Sequence, residues 1–216
     1  MGVIMKVLIL SAHADDGEMA SGGYINRFIS EGNEVYYAAF SIAEESVPEG
    51  FDRDIVEKEC RESTKKLGIP EDNVFIHKFP VRRFWSQRQD ILDILIGLRK
   101  DITPDICITP STTDIHQDHK VVNNESIRAF HRSSSIYGYD FPWNVLYTPK
   151  LNLFVELSEE NLKRKIDAAQ SYRSQLVKDN NCFTEEYIRS IAVVRGNMIR
   201  VKYAEAFETI REIRKV

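Results

Sequence analysis

No apolar run in the 216 residues approaches the roughly 20 needed to cross a bilayer, which excludes a transmembrane segment from the reading. Basic residues are not in excess: Lys and Arg number 29 against 33 Asp and Glu, a net charge of −4, so the chain lacks the electrostatic footprint of a nucleic-acid binder. Cysteine is scarce. Cys60, Cys107 and Cys182 are odd in number and widely spaced, without the pairing of a zinc ribbon or disulfide framework, and read as small core residues suited to a reducing cytoplasm. The N-terminal stretch has only Lys6 before the short apolar segment Val7 to Ala12, too little for a secretory signal, and Met1 to Ile4 read as preceding a natural start at Met5, since Met5-Lys6-Val7 would begin a strand equally well. Repeats, low-complexity tracts and Pro/Gly/Ser linkers are also missing. With 43% hydrophobic and 29% charged residues, the expectation is one domain over residues 1–216.

What is there alternates. Val7 to Ala12 reads as a strand, Gly22 to Ser30 as a helix, and Glu34 to Phe40 as a second strand after the turn Glu31-Gly32-Asn33. A helix from Asp54 to Leu67 stops at Gly68 with Pro70 beyond, and Val74 to Phe79 supplies a third strand. Ile91, Leu92, Leu95 and Leu98 recur at helical spacing up to Pro104, before a strand at Asp105 to Thr109. Further on, Leu151 to Leu157 reads as a strand, Ser158 as the N-cap of a helix running to about Tyr172, and Thr184-Glu185-Glu186 as another cap. Lys163-Arg164-Lys165 and Arg211 to Lys215 read as solvated helix faces. Strands separated by helices imply an α/β fold, a mostly parallel sheet with helices on both faces.

Chemistry concentrates in two places. Ser11-Ala12-His13-Ala14-Asp15-Asp16 follows the first apolar run, and Asp114-Ile115-His116-Gln117-Asp118-His119 follows Ile106-Cys107-Ile108. In an open parallel sheet, ligands bind outside the carboxyl ends of strands, where both clusters would fall. A catalytic zinc takes three protein ligands and keeps a position for water, and His13, one of the two aspartates and one of the two histidines would supply that set. Adjacent residues in an extended chain point to opposite sides, so Asp15 and Asp16 would do different jobs. Each cluster alone has an ordinary explanation: an Asp pair as a helix N-cap, His at i and i+3 as a helix-start decoration. Their joint occurrence in a chain with five histidines favours a shared metal site. His77 and His131 lie outside it and read as structural.

These residues resemble a known family. His13-Ala14-Asp15-Asp16 followed by Gly22-Gly23, with the Asp114, His116, Asp118, His119 cluster, is similar to the PIG-L/LmbE-like zinc-dependent de-N-acetylases, whose motifs are Ala-His-Pro-Asp-Asp and Asp-x-His-x-Asp-His. Glu59, Leu67-Gly68, Pro104-Asp105 and Tyr203-Ala204-Glu205-Ala206-Phe207 extend the likeness over most of the chain. The resemblance implies a Rossmann-like α/β fold and Zn2+ held by His13, Asp16 and His119. It implies that Asp15 is the general base for the attacking water, that His116 stabilises the oxyanion, and that Asp118 orients and charges His116. The implied substrate is a small-molecule N-acetyl sugar or sugar conjugate, with a homo-oligomer left open. A related amidase or esterase, or a non-catalytic metal- or sugar-binding protein of the same fold, is the alternative.

The chain departs from the motifs at Ala14 and Gln117, both usually proline, and at Gly17, often Glu or Ala, where a pocket wall or a turn would change. An arginine often found near the start of the family's second helix has no counterpart, Arg53 and Arg61 being out of register. Arg82, Arg83, Phe84 and Trp85, and Phe141-Pro142-Trp143, offer aromatic and basic groups for a sugar, with loop packing as the ordinary alternative.

Overall fold

The first apolar run becomes a fully paired central strand because its residues alternate between two cores. In the computed structural model, which describes residues 4–147, 150–178 and 181–214, β1 (Lys6–His13) sends Val7 and Ile9 into one hydrophobic cluster and Leu8, Leu10 and Ala12 into another. Met1 to Val3 and Lys215 lie outside the described residues. On β1 are built β2 (Glu34–Ser41), β3 (Val74–Ile76), β4 (Ile106–Pro110) and β5 (Ser135–Tyr139), all in parallel pairs. β6 (Leu151–Glu156) and β7 (Ala204–Arg211) complete a seven-stranded sheet of order β3-β2-β1-β4-β5-β7-β6, with β7 antiparallel to both neighbours.

Helices cover both faces, as the alternation implies. α3 (Arg88–Ile102) and α4 (Gln117–Phe130) pack Leu95, Leu98, Val122 and Phe130 against Leu8 and Leu10. α1 (Asp16–Ser30), α2 (Ile55–Leu67) and α5 (Glu159–Ala169) pack Phe28, Cys60, Leu67 and Ile166 against Val7 and Ile9. Two further helices, α6 (Arg173–Leu176) and α7 (Glu185–Met198), follow, the latter capped by Thr184 as expected. From β1 the chain crosses to β2 on one side and later returns to β4 on the other. The order reverses between β1 and β4, so a crevice opens at their carboxyl ends.

Several expectations need correction. The helix expected from Gly22 is the second half of α1, which starts at Asp16 and kinks at Ser21 (φ −131°, ψ 15°). The Glu205 carboxylate accepts from the amides of Gly23 (3.0 Å) and Tyr24 (2.7 Å), capping the new segment from β7. Any side chain at Gly23 would meet Leu157 Cδ1 at 2.4 Å. Lys165 is no solvated residue: it is buried and its Nζ donates to Glu205 at 2.7 Å. The Ser158 helix ends at Ala169, leaving Tyr172 to turn inward, and Arg211 ends a strand instead of opening a helix face. β3 is shorter than expected, although the amides of His77 and Phe79 go on pairing with Ala39 and Phe40.

Candidate metal centre and active site

The crevice brings both sequence clusters together. His13 ends β1, Asp15 and Asp16 open α1, His116 is the N-cap of α4, and Asp118 and His119 lie in its first turn. His13 Nδ1 stands 3.3 Å from His119 Nε2 and 3.4 Å from Asp16 Oδ2, and His119 Nε2 is 3.2 Å from the same Asp16 oxygen. Metal–ligand bonds of about 2.0–2.1 Å in tetrahedral array place neighbouring donors about 3.3–3.4 Å apart, so the three atoms have the spacing of one face of such a shell.

Both rings are held from behind. His13 Nε2 faces Asp118 Oδ2 at 3.2 Å, and His119 Nδ1 faces Asp114 Oδ2 at 2.7 Å. A carboxylate on the far nitrogen fixes the tautomer and aims the other lone pair inward. Burial opposes charge on His13, but Asp16 with the Asp118 and Asp16 hydrogen bonds lifts its pKa to about 9. Burial likewise opposes charge on His119, yet Asp16 and Asp114 lift it to about 10. Asp16, despite burial, is held far below the usual carboxylate range by the two histidines. The pocket therefore favours positive charge at this point, whether proton or metal.

Asp118 departs from the expected pairing with His116. Its carboxylate takes His13 and the amides of Arg82 (2.5 Å) and Phe84 (3.4 Å) instead. Burial works against its charge, but the His13 and amide hydrogen bonds keep its pKa below the usual range. His116 accepts the Asp118 amide on Nδ1 at 3.2 Å, which caps α4. A neutral imidazole accepting at Nδ1 carries its proton on Nε2. His13, His116 and His119 can offer ring nitrogens within 4.8 Å of one another, and in this tautomer the Nε2–H of His116 is free to donate. Burial and the neighbouring histidines lower its pKa, keeping it neutral.

Asp15 occupies the N-cap position of α1 but its side chain makes no capping bond. It lines a cavity of about 300 Å3 with His116, Trp143, Asn144, Gln175 and Lys178. Burial and the charge of Asp16 raise its pKa to about 6, near the range of a useful general base. Phe141 lies against His119 (ring centroids 5.9 Å apart), and the half-exposed Trp143 stacks on Phe141 at 5.0 Å, an aromatic path from the metal face outward.

Other candidates fall elsewhere. Arg82, Arg83, Phe84 and Trp85 do not line this cavity: Phe84 is buried, Trp85 lies under Arg88, and the loop contributes its amides to Asp118. Gly17 forms no pocket wall; a Cβ there would lie 2.6 Å from Ser11 Oγ and from the Tyr37 ring. His77 and His131 stand apart. Asp114 had no role in the sequence reading; its acceptance of the His116 amide at 2.8 Å is an Asx turn that the Asp-x-His spacing permits. Gln175 and Lys178 carry no motif and were not foreseen.

Comparison with known proteins bears on the chain as a whole. Residues 8–130 match the family model described as PIG-L, GlcNAc-PI de-N-acetylase. The diacetylchitobiose deacetylase of Thermococcus kodakarensis is 27% identical over 96% of this chain and 84% of its own length. The N,N'-diacetylchitobiose deacetylase from Pyrococcus horikoshii, solved with its inhibitor MPG, superposes with a TM-score of 0.79 at 24% identity over 95% of this chain and 83% of that one. GalB, the 4-carboxy-2-hydroxymuconate hydratase of Pseudomonas putida KT2440, has the same fold at a TM-score of 0.78, 17% identity and 99% coverage of each chain. Fold alone therefore does not choose the reaction.

Proposed function

Because the chain belongs to the PIG-L, GlcNAc-PI de-N-acetylase family, we propose that it is a zinc-dependent hydrolase that removes an N-acetyl group from an N-acetylated sugar or sugar conjugate. The observation that carries this is the triangle of His13, Asp16 and His119 donors beside an Asp15 carboxylate that caps nothing. His13, Asp16 and His119 would hold the ion, and both histidines already have the carboxylate backing such ligands use. Zinc, when bound, supplies Lewis acidity toward the acetyl carbonyl and makes water a nucleophile near neutral pH.

The protein's own groups do the rest. Asp15 takes a proton from the attacking water as its oxygen bonds to the acetyl carbon, and delivers that proton to the amine nitrogen as the C–N bond breaks. Acetate and a free amino sugar leave. His116 Nε2–H donates to the carbonyl oxygen as it gains negative charge. Trp143 offers a ring face to the sugar, and Asn144, Gln175 and Lys178 offer polar partners to its hydroxyls. Cys60, Cys107 and Cys182 are buried thiols, which suits a reducing compartment, and the cytoplasm is the proposed location.

Metal analysis of the purified chain, with acetate release from a panel including N-acetylglucosamine, N,N'-diacetylchitobiose and nucleotide sugars, tests this. Stoichiometric zinc and acetate release are expected, and His119→Ala should lose both. Zinc held at native affinity by that variant would overturn the ligand set, and a zinc-loaded protein that cleaves only esters would overturn the substrate class.

A further inference from the structure

Beneath the metal face lies a buried cluster to which neither motif assigns a part. The hydroxyls of Tyr37, on β2, and Tyr172, after α5, both reach the carbonyl of Ala14 and the carboxylate of Glu18. The Tyr37 hydroxyl is 2.9 Å from the Ala14 oxygen, and that of Tyr172 is 2.7 Å from Glu18 Oε1. All three side chains are fully buried. Ser11 Oγ accepts the Gly17 amide (2.7 Å) and donates to the Tyr37 oxygen (2.7 Å), so the chain of donors runs from α1 back to the end of β1.

We infer that Glu18, Tyr37 and Tyr172 are a positioning unit that pins the Ala14 carbonyl and so fixes the turn carrying His13, Asp15 and Asp16. Ala14 is the peptide between the first ligand and the base. Its φ has none of the restriction a proline ring would supply, so the turn has no internal lock at this residue. Tyr172, in the turn between α5 and α6, supplies one from 158 residues away, and Tyr37, on β2, supplies another from 23. A rotation at Ala14 would change the distances among the His13 and Asp16 donors, which share one small triangle. The pinning also explains why α5 stops before Tyr172: the ring must leave the helix to reach inward.

The consequence for metal rests on the function proposed above; the pinning of the turn does not. Tyr172→Phe and Tyr37→Phe remove one hydroxyl each with little change of shape. Tyr139→Phe is the control, since that buried hydroxyl donates to the Leu10 carbonyl of β1 and not to Ala14 or Glu18. Amide hydrogen exchange of the metal-free protein should quicken about 10-fold or more at Asp15 to Gly17 in the first two variants and not in the control. Zinc affinity, from chelator competition, should fall about 10- to 100-fold in Tyr172→Phe, with kcat falling and KM little changed. Glu18→Leu, which removes the carboxylate that both hydroxyls share, should quicken the same exchange and weaken zinc in the same direction as Tyr172→Phe. Equal exchange and equal zinc affinity in Tyr172→Phe and Tyr139→Phe would reduce the cluster to ordinary core satisfaction and overturn the inference. Exchange and zinc affinity in Glu18→Leu equal to those of Tyr139→Phe would overturn the part given to Glu18. A parent protein that takes up no zinc would refute the proposed function, while the exchange data would still decide the pinning.

Discussion

His116 and Asp118, two positions apart at the start of α4, are sent to different tasks by one helical turn. The Asp118 side chain faces β1 and the His13 ring, while the His116 ring folds over the Asp118 amide and presents its remaining N–H to the cavity. His116→Ala should therefore keep zinc and lower kcat by about 10²- to 10³-fold, the usual cost of an oxyanion donor. Asp118→Ala should weaken zinc about 10- to 100-fold, by freeing the His13 ring. Since the two act by separate routes, their effects on kcat/KM at subsaturating zinc should multiply, opposite to the non-additivity expected had Asp118 acted through His116. Steady-state kinetics with metal titration on both single variants and the double variant measure this. Asp15→Asn should retain zinc and fold and lose about 10²- to 10⁴-fold in kcat, the contribution typical of a general base. Near-normal turnover in that zinc-loaded variant would remove Asp15 from the mechanism.

At the scale of elements, the kink in α1 depends on a partner that local sequence cannot supply. Glu205 on β7 caps the second segment and neutralises Lys165 of α5, so one carboxylate joins three elements. Glu205→Ala removes the ion partner of the buried Lys165 and should cost about 3–5 kcal/mol in denaturant unfolding; a Glu205→Ala/Lys165→Met double variant should recover the part due to the lone charge and not the part due to the lost cap on the Gly23 and Tyr24 amides. The same feature explains what could be foreseen. β1, β2 and α3 were legible because their apolar spacing is local and unbroken, and Gly68 marked the end of α2 through its left-handed φ of 96°. The first half of α1 was not, because Gly17 argues against a helix and the break at Ser21 separates this turn from the segment whose spacing was visible. β5, short and holding Gly138, and β7, with charges along it, gave no periodic signal. The two His/Asp clusters were visible as strand ends. Which aspartate backs which histidine was not, since Asp114 and Asp118 flank His116 symmetrically in sequence and only the direction of α4 separates them.

For the whole molecule, the metal face joins parts of the chain far apart in sequence. His13 and Asp16 belong to the β1–α1 connection and His119 to α4, so the donors come from the two sides of the point where strand order reverses. An ion held there crosslinks α1, on one face of the sheet, to α4, on the other. A ligand that binds only the folded state stabilises it by about 2.7 kcal/mol at 100 times its Kd. For a chain of 216 residues, that corresponds to a rise in Tm of about 5 to 10 °C. Chelation should therefore lower Tm by this amount, and zinc should restore it. His119→Ala should show no zinc-dependent shift, whereas Asp15→Asn, which leaves the three donors in place, should keep the full one. Calorimetry of the parent and both variants, with and without zinc, makes the comparison without requiring the substrate. A zinc-dependent rise in His119→Ala equal to that of the parent would place the stabilising ion elsewhere than at this crossing.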